Sequence, residues 1–233
     1  MTFTKLLLRN LWFHRRSNLA ILLGVLVGTA VLTGSLLVGD SLRGSLRELT
    51  LERLGWVDQT LVATHFFREE VADELKKGNV ADHIAPVIML QASVKSKNGT
   101  ARKVTLLGVD DRYWKGKPPP VHKSVDQSAP IVHLSRPLAQ ALKAGVGEEI
   151  VIHIRKRSEV PEESLLGRKK TGDLLSELEV TVGGILDRDR SMASFKMSSD
   201  PQPARNAFVS LSWLQQKLDE EKKQVNALLI QNG

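Results

Sequence analysis

The stretch that decides the fold runs from Ser17 to Gly39, SNLAILLGVLVGTAVLTGSLLVG, 23 residues without one charged side chain. At about 1.5 Å of rise per residue, a helix of this length reaches roughly 34 Å, enough to cross a hydrocarbon core about 30 Å thick. A cleaved signal peptide has a shorter apolar centre, about 7 to 15 residues, followed by a small-x-small cleavage site. Here the run is longer and ends Leu36-Leu37-Val38-Gly39-Asp40, so residues 17–39 read as a retained transmembrane helix. Within it Gly24 and Gly28 stand one turn apart on one face, the spacing at which a second helix can approach closely.

On the N-terminal side, residues 1–16 carry Lys5, Arg9, Arg15 and Arg16 with no acid. Interleaved with them are leucines and the pair Trp12 and Phe13, the mixture of an interfacial segment whose aromatics sit at headgroup level. Basic residues flanking a span stay cytoplasmic, so the N-terminus is expected inside and the bulk of the chain outside. On the other side, residues 40–55 keep a helical spacing of Leu42, Leu46, Leu49 and Leu54 with charges between, which predicts a stalk helix continuing the span.

Residues 56–233 have the composition of a water-soluble domain of mixed strand and helix, giving an α+β class for the whole chain. Strands are expected over 59–64, 84–96, 102–108, 130–134, 149–155, 179–186, 207–210 and 225–230, all rich in Val, Ile, Leu or Thr. Helices are expected over 67–77, 136–143 and 212–223, the last capped by Ser210 or Ser212. Asn98-Gly99 predicts a tight primed hairpin turn. Residues 116–128 and 158–176 lack periodicity and read as long loops.

Composition removes several function classes. The chain of 233 residues has no cysteine, which excludes a disulfide scaffold, a thiolate metal site and a thiol enzyme. Of the formal net charge of +7, four units lie in the first 39 residues, and the remaining 194 carry 29 basic against 26 acidic side chains. So balanced a domain is a poor nucleic-acid footprint, and Arg155-Lys156-Arg157 and Arg168-Lys169-Lys170 read as solvated charge. His14, His65, His83, His122, His133 and His153 show no metal-ligand spacing, and no phosphate loop is present. Gly39-Asp40-Ser41-Leu42 spells the GDSL signature of a lipase and esterase family. It follows a membrane-length run instead of a short strand, and no Asp is followed three residues later by His to complete a triad. The chain is therefore expected to be no enzyme, with no catalytic residue, cofactor or metal of its own.

A series of short blocks resembles the N-terminal part of MacB/FtsX-type ABC transporter permeases. They are Lys5-Leu6-Leu7-Leu8-Arg9-Asn10-Leu11, Arg15-Arg16-Ser17-Asn18-Leu19, Leu23-Gly24-Val25 through Gly28, and Gly39-Asp40-Ser41-Leu42-Arg43. Further on come Leu107-Gly108-Val109-Asp110, Leu134-Ser135 to Leu142, Gly145-Val146-Gly147-Glu148-Glu149-Ile150 with Glu148 in place of the usual Asp, Val180 to Leu186, Ala207 to Ser210, and Val225 to Ile230.

The resemblance implies one transmembrane helix extending into a stalk, then a mixed α/β extracytoplasmic domain of the MacB periplasmic core type, in a bacterial cytoplasmic membrane. It further implies a partner ATPase subunit, a second copy or partner permease, the lipid bilayer, an extracytoplasmic protein partner, and no nucleic acid. Family permeases have four membrane helices, so the chain reads as the N-terminal part of a longer permease or a truncated reading frame. In this picture Gly24 and Gly28 pack helices, Leu42, Leu46 and Leu49 make stalk contacts, and Lys5, Arg9, Trp12, Arg15 and Arg16 hold the membrane interface. Two other readings stay open on sequence alone: a single-span anchored adaptor domain without transport, and, third, a GDSL-type esterase.

Overall fold

The computed structural model describes residues 3–121, 129–155, 175–187, 192–198, 200, 202–218 and 223–232. The chain divides into two units, Met1–Thr50 and Leu51–Gly233. The first contains α1 (Phe3–Phe13) and most of α2 (Arg15–Leu54), a helix of 40 residues. Between them only His14 leaves the helical conformation, and the His14 N–H to Asn10 and Asn18 N–H to His14 bonds, 3.1 and 3.0 Å, carry the backbone pairing across it. Gly39, Asp40, Ser41 and Leu42 all lie inside α2. In the esterase family the serine of this motif follows a short strand, so its place inside a long helix removes the structural context of the motif.

Among the described residues the second unit is built on eight strands: β1 (Gln59–Arg68), β2 (His83–Lys95), β3 (Thr100–Val109), β4 (Ile131–Ser135), β5 (Glu149–Arg155), β6 (Leu175–Leu186), β7 (Asn206–Ser210) and β8 (Gln224–Gln231). Three short helices interrupt them, α3 (Glu70–Lys77), α4 (Arg136–Leu142) and α5 (Leu211–Lys217). The strand order is β1-β8-β2-β3-β7-β4-β6-β5, and an additional β2–β5 pairing joins the last strand back to β2. Strands β2, β3, β7, β4, β6 and β5 thus form a closed ring, while β8 and β1 extend from the first half of β2. The length of β2 allows both: His83 to Val87 pair with β8, Ile88 to Lys95 with β3, and Ala92 to Lys95 also with β5.

Alternation along the strands sorts the apolar residues onto two faces. One core gathers Val94, Val104, Leu106, Val132, Leu134, Ile150, Ile152, Val180, Val182, Ala207 and Val209 with Leu138 and Leu142 of α4 and Leu211 and Leu214 of α5. The other takes the intervening positions, Ala85, Val87, Leu107, Val109, Phe208, Ala227 and Leu229, together with Tyr113, Met192 and Phe195. Leu106 and Leu107 are neighbours in sequence, both fully buried, and belong to different cores.

Three local expectations need correction. Strand β1 runs on to Arg68 through an irregularity between Val62 and Phe67, so α3 starts three residues later than the periodicity suggests. Helix α5 stops at Lys217, and its N-cap Ser210 turns its hydroxyl to Ser212 Oγ at 3.0 Å instead of capping a helix amide. The Asn98-Gly99 hairpin exists, but neither residue has a positive φ. The loop has four residues, 96–99, and Ser96 organises it: its Oγ accepts from the Asn98 and Gly99 amides at 3.2 and 3.0 Å. The same hydroxyl donates to the Leu142 carbonyl at the end of α4 at 2.6 Å. Residues 122–128 of one expected loop and 158–174 of the other lie outside the described residues, and Leu175 and Ser176 belong to β6.

Gly99 is required by this docking of the turn onto α4. A Cβ there would stand 2.9 Å from the Ala141 carbonyl oxygen and 3.0 Å from that of Leu142, both rigid backbone. Gly99→Ala should push the hairpin off α4 and lower the stability of the core domain by about 1–3 kcal/mol, read from urea denaturation followed by tryptophan fluorescence.

Candidate functional site

Helix α2 is the one element among the described residues long and apolar enough to cross a bilayer, by length and composition. At 1.5 Å per residue it extends about 60 Å, and none of its residues is buried. Gly24 and Gly28 leave open space where a Cβ would stand, and Leu42 and Leu46 are exposed while Leu49 is partly shielded. Lys5 and Arg9 sit on α1, and Trp12, near its end, has the Arg15 guanidinium 5.9 Å from its ring centroid. Leu11, Trp12 and Phe13 are all largely exposed.

The second feature is the junction at which α2 passes into the core domain. Gly55 ends the helix with φ of 62°, a value that costs a residue with a side chain about 1 kcal/mol, and its N–H still reaches the Leu51 carbonyl at 3.2 Å. Leu54 and Trp56 pack against the core that contains Val57 and Tyr113. The Trp56 indole N–H donates to the Tyr113 carbonyl at 3.1 Å, and its ring meets His83 edge-on at 4.8 Å. Because a carbonyl only accepts, His83 Nε2 carries a proton and donates it to the Arg112 carbonyl at 2.7 Å. Lys115 lies 5.5 Å over the Trp56 ring and donates to Gln231 Oε1 at 2.6 Å. Tyr113 has no exposed surface, its hydroxyl donates to the Met192 carbonyl at 3.0 Å, and burial raises its pKa well above the ordinary value, so it stays a donor. Arg53, in the last turn of α2, donates to the Asp200 carbonyl at 2.7 Å.

The ends of the domain meet at the same place. Asp58 N–H donates to the Ile230 carbonyl at 3.0 Å, Asn232 N–H returns to the Asp58 carboxylate at 3.0 Å, and Gln59 pairs with Ile230 in the β1–β8 ladder.

Next to the junction, the Leu107-Gly108-Val109-Asp110 block has a clear physical role. Asp110 accepts from the Arg112 amide at 2.9 Å through one oxygen and from its Nε at 2.6 Å through the other. Arg112 also pairs with Glu69, just before α3, and with Asp73 on α3 at 3.3 Å. Glu69 is held from its other oxygen by Gln215 of α5 at 3.2 Å. Burial alone would lower the Arg112 pKa, but hydrogen bonds and charge from Asp110 and Glu69 outweigh it and hold the pKa above its ordinary value. One guanidinium thus joins the end of β3 to the start of α3.

Residues 19–231 match the family model of the MacB-like periplasmic core domain. The chain belongs to that family. It is of the MacB/FtsX permease type, a membrane component of ABC transporters. Among solved structures, the extracellular domain of the noncanonic ABC-type transporter YknZ from Gram-positive bacteria aligns at 12% identity over 74% of this chain and 81% of that one, TM-score 0.44. The periplasmic region of MacB from Actinobacillus actinomycetemcomitans aligns at 14% identity over 78% of each chain, TM-score 0.43. No curated protein matches.

Sequence reasoning about the MacB-like chain singled out the helix and missed the junction. The signal was present in Asp110-Asp111-Arg112-Tyr113-Trp114-Lys115-Gly116, where turn formers surround two aromatics directly after a strand. Two substitutions test the assignment. Tyr113→Phe leaves the buried Met192 carbonyl without its donor and should cost about 1–3 kcal/mol in urea denaturation. Arg112→Met leaves the Glu69 and Asp110 carboxylates facing each other's charge and should cost about 1.5–3 kcal/mol.

Proposed function

We propose that this chain is the mechanical arm of an ABC transporter permease, passing motion driven by ATP hydrolysis in a partner ATPase to an extracytoplasmic domain. Residues 1–16 form the cytoplasmic interfacial segment, 17–39 the crossing, 40–55 the stalk and 56–233 the extracytoplasmic core in the bacterial cytoplasmic membrane. Lys5, Arg9, Arg15 and Arg16 keep the N-terminus on the cytoplasmic side. Gly24 and Gly28 receive a helix of a second copy or partner permease, and Leu42, Leu46 and Leu49 make the stalk contacts. The chain moves and binds; it catalyses nothing by itself.

The observation that carries this reading is the continuity of α2, unbroken from Arg15 to Leu54, ending in a junction tied by Trp56, Arg53 and Leu54. Transmission of force needs a stiff element attached to what it moves, and a hydrogen-bonded helix whose last turn packs against the core is suited to that.

Coupling and orientation can be tested separately. In the permease assembled with its ATPase, Leu46→Pro breaks the ladder of α2 at a cost of about 3 kcal/mol or more. ATP turnover should persist while the ATP-dependent change in fluorescence energy transfer between labelled core domains disappears; transfer that still responds to ATP refutes transmission through α2. Since the chain has no cysteine, Lys5→Cys and Lys77→Cys provide single labelling sites. In spheroplasts an impermeant maleimide should modify only Lys77→Cys, and the reverse pattern inverts the topology.

A further inference from the structure

Strand β3 carries a break in its alternation. Ala92 pairs with Val104 and Val94 with Ala101, so Arg102 and Lys103 together oppose the single residue Ser93. Lys103 at this bulge has φ of 55°, a left-handed conformation that a residue with a side chain adopts at a cost. In a regular strand, successive side chains point to opposite faces. Here Ala101 and Val104 are buried, and Arg102 and Lys103 are both exposed and line one groove. The bulge therefore brings two consecutive cations to the same surface, and strain at such a position is a reason to look for a ligand.

The groove is a cavity of about 320 Å³ with Arg205 and Lys196 as further basic residues and Asp200 as its acid. Lys196 and Asp200 are spent on each other. The ammonium donates to the Asp200 and Gln202 carbonyls at 3.2 and 2.9 Å and pairs with the Asp200 carboxylate at 3.3 Å. Three exposed cations remain, Arg102, Lys103 and Arg205, and no hydrogen bond or ion pair engages their side chains among the described residues. The walls are fixed: the Arg205 carbonyl accepts from Thr105 N–H at 2.9 Å, and Asn206 Nδ2 donates to the Phe195 carbonyl at 2.7 Å. The lining is apolar where the charges end, through half-buried Met89 and exposed Met197, thioethers that adapt to varied side chains. Along the groove β3 pairs with β2 on one side, while its pairing with β7 begins only at Thr105. Among the described residues, 100–104 thus have no strand partner on that side.

We propose that this groove docks an acidic, extended segment of a partner protein carrying an apolar side chain. Arg102, Lys103 and Arg205 take its carboxylates, Met89 and Met197 its apolar residue, and the edge of β3 its backbone. A free edge pairs with the alternating donors and acceptors of an extended backbone, which a lipid headgroup lacks, and this favours a protein partner over an anionic membrane surface. Complementary charge confers specificity and speeds association. The proposal stands without the coupling reading, since it needs only the groove.

The test uses the full chain in nanodiscs of neutral phosphatidylcholine and a short fluorescein-labelled peptide of glutamate, aspartate and leucine. Fluorescence anisotropy should show binding that weakens with salt and drops at least about tenfold in Arg102→Glu/Lys103→Glu/Arg205→Glu. The control Arg68→Glu/Lys76→Glu/Lys77→Glu changes the net charge equally at residues outside the groove lining and should retain binding. Met197→Ser should reduce the preference for this peptide over its leucine-free counterpart. Equal weakening in both triple variants, no binding at all, or loss of the peptide to phosphatidylglycerol vesicles captured through the same three cations would overturn it. Circular dichroism of each variant establishes that the fold is retained.

Discussion

The structure depends on the burial of Tyr113. Its ring packs with Trp114 and Phe208 in a three-ring cluster, centroids 4.8 and 5.8 Å away, its hydroxyl fixes the segment at Met192, and its carbonyl receives the indole of Trp56. Aromatic rings supply much contact area for few rotatable bonds, so they hold a junction at low entropic cost. A residue that touches the end of β3, the segment after β6 and the chain leaving α2 cannot shift without moving all three. The ion pairs of Arg112 and the His83 bond to its carbonyl then lock the backbone on the preceding residue. Packing sets the position here, and polar contacts set the orientation.

Topology explains why such a junction is available. A long β2 belongs to a closed ring through its second half and to the β8–β1 extension through its first. Ring closure pairs most of the edges that an open sheet would expose, leaving the start of β3 and the outer side of β1 without a strand partner among the described residues, and the extension places the first and last strands of the domain side by side. Two cores follow from this arrangement, because sheet residues of alternating parity face different partners. Leu106 and Leu107 show it at one point, and Ala207 and Phe208 repeat it on β7.

Much of this was legible in the sequence. The uncharged run from Ser17 identifies α2, all eight strands appear as runs of β-branched and aliphatic residues, and the order of degenerate blocks points to the MacB/FtsX permeases. What escaped the reading has physical causes. A bulge such as Arg102-Lys103 leaves no mark in composition, because its φ is imposed by tertiary pairing. Asn98-Gly99 favours a primed turn, yet Ser96 spends its hydroxyl on the loop and on α4, so long-range contact overrides local preference. Ion pairs between Arg112 and Glu69 join residues far apart in sequence, and no periodicity reports them.

The two proposed activities share one piece of chain. Asp200 lines the basic groove, and its carbonyl accepts the guanidinium of Arg53 in the last turn of α2. A ligand in the groove that touches Asp200 therefore acts on a residue already tied to the last turn of the helix. Coupling of binding sites is reciprocal: whatever the position of α2 does to the groove, occupation of the groove does to α2 with the same free energy. An arm that only pushed would need no such tie. If the proposed arm moves, the Arg53 contact is the point at which the end of the helix and the wall of the groove would affect each other.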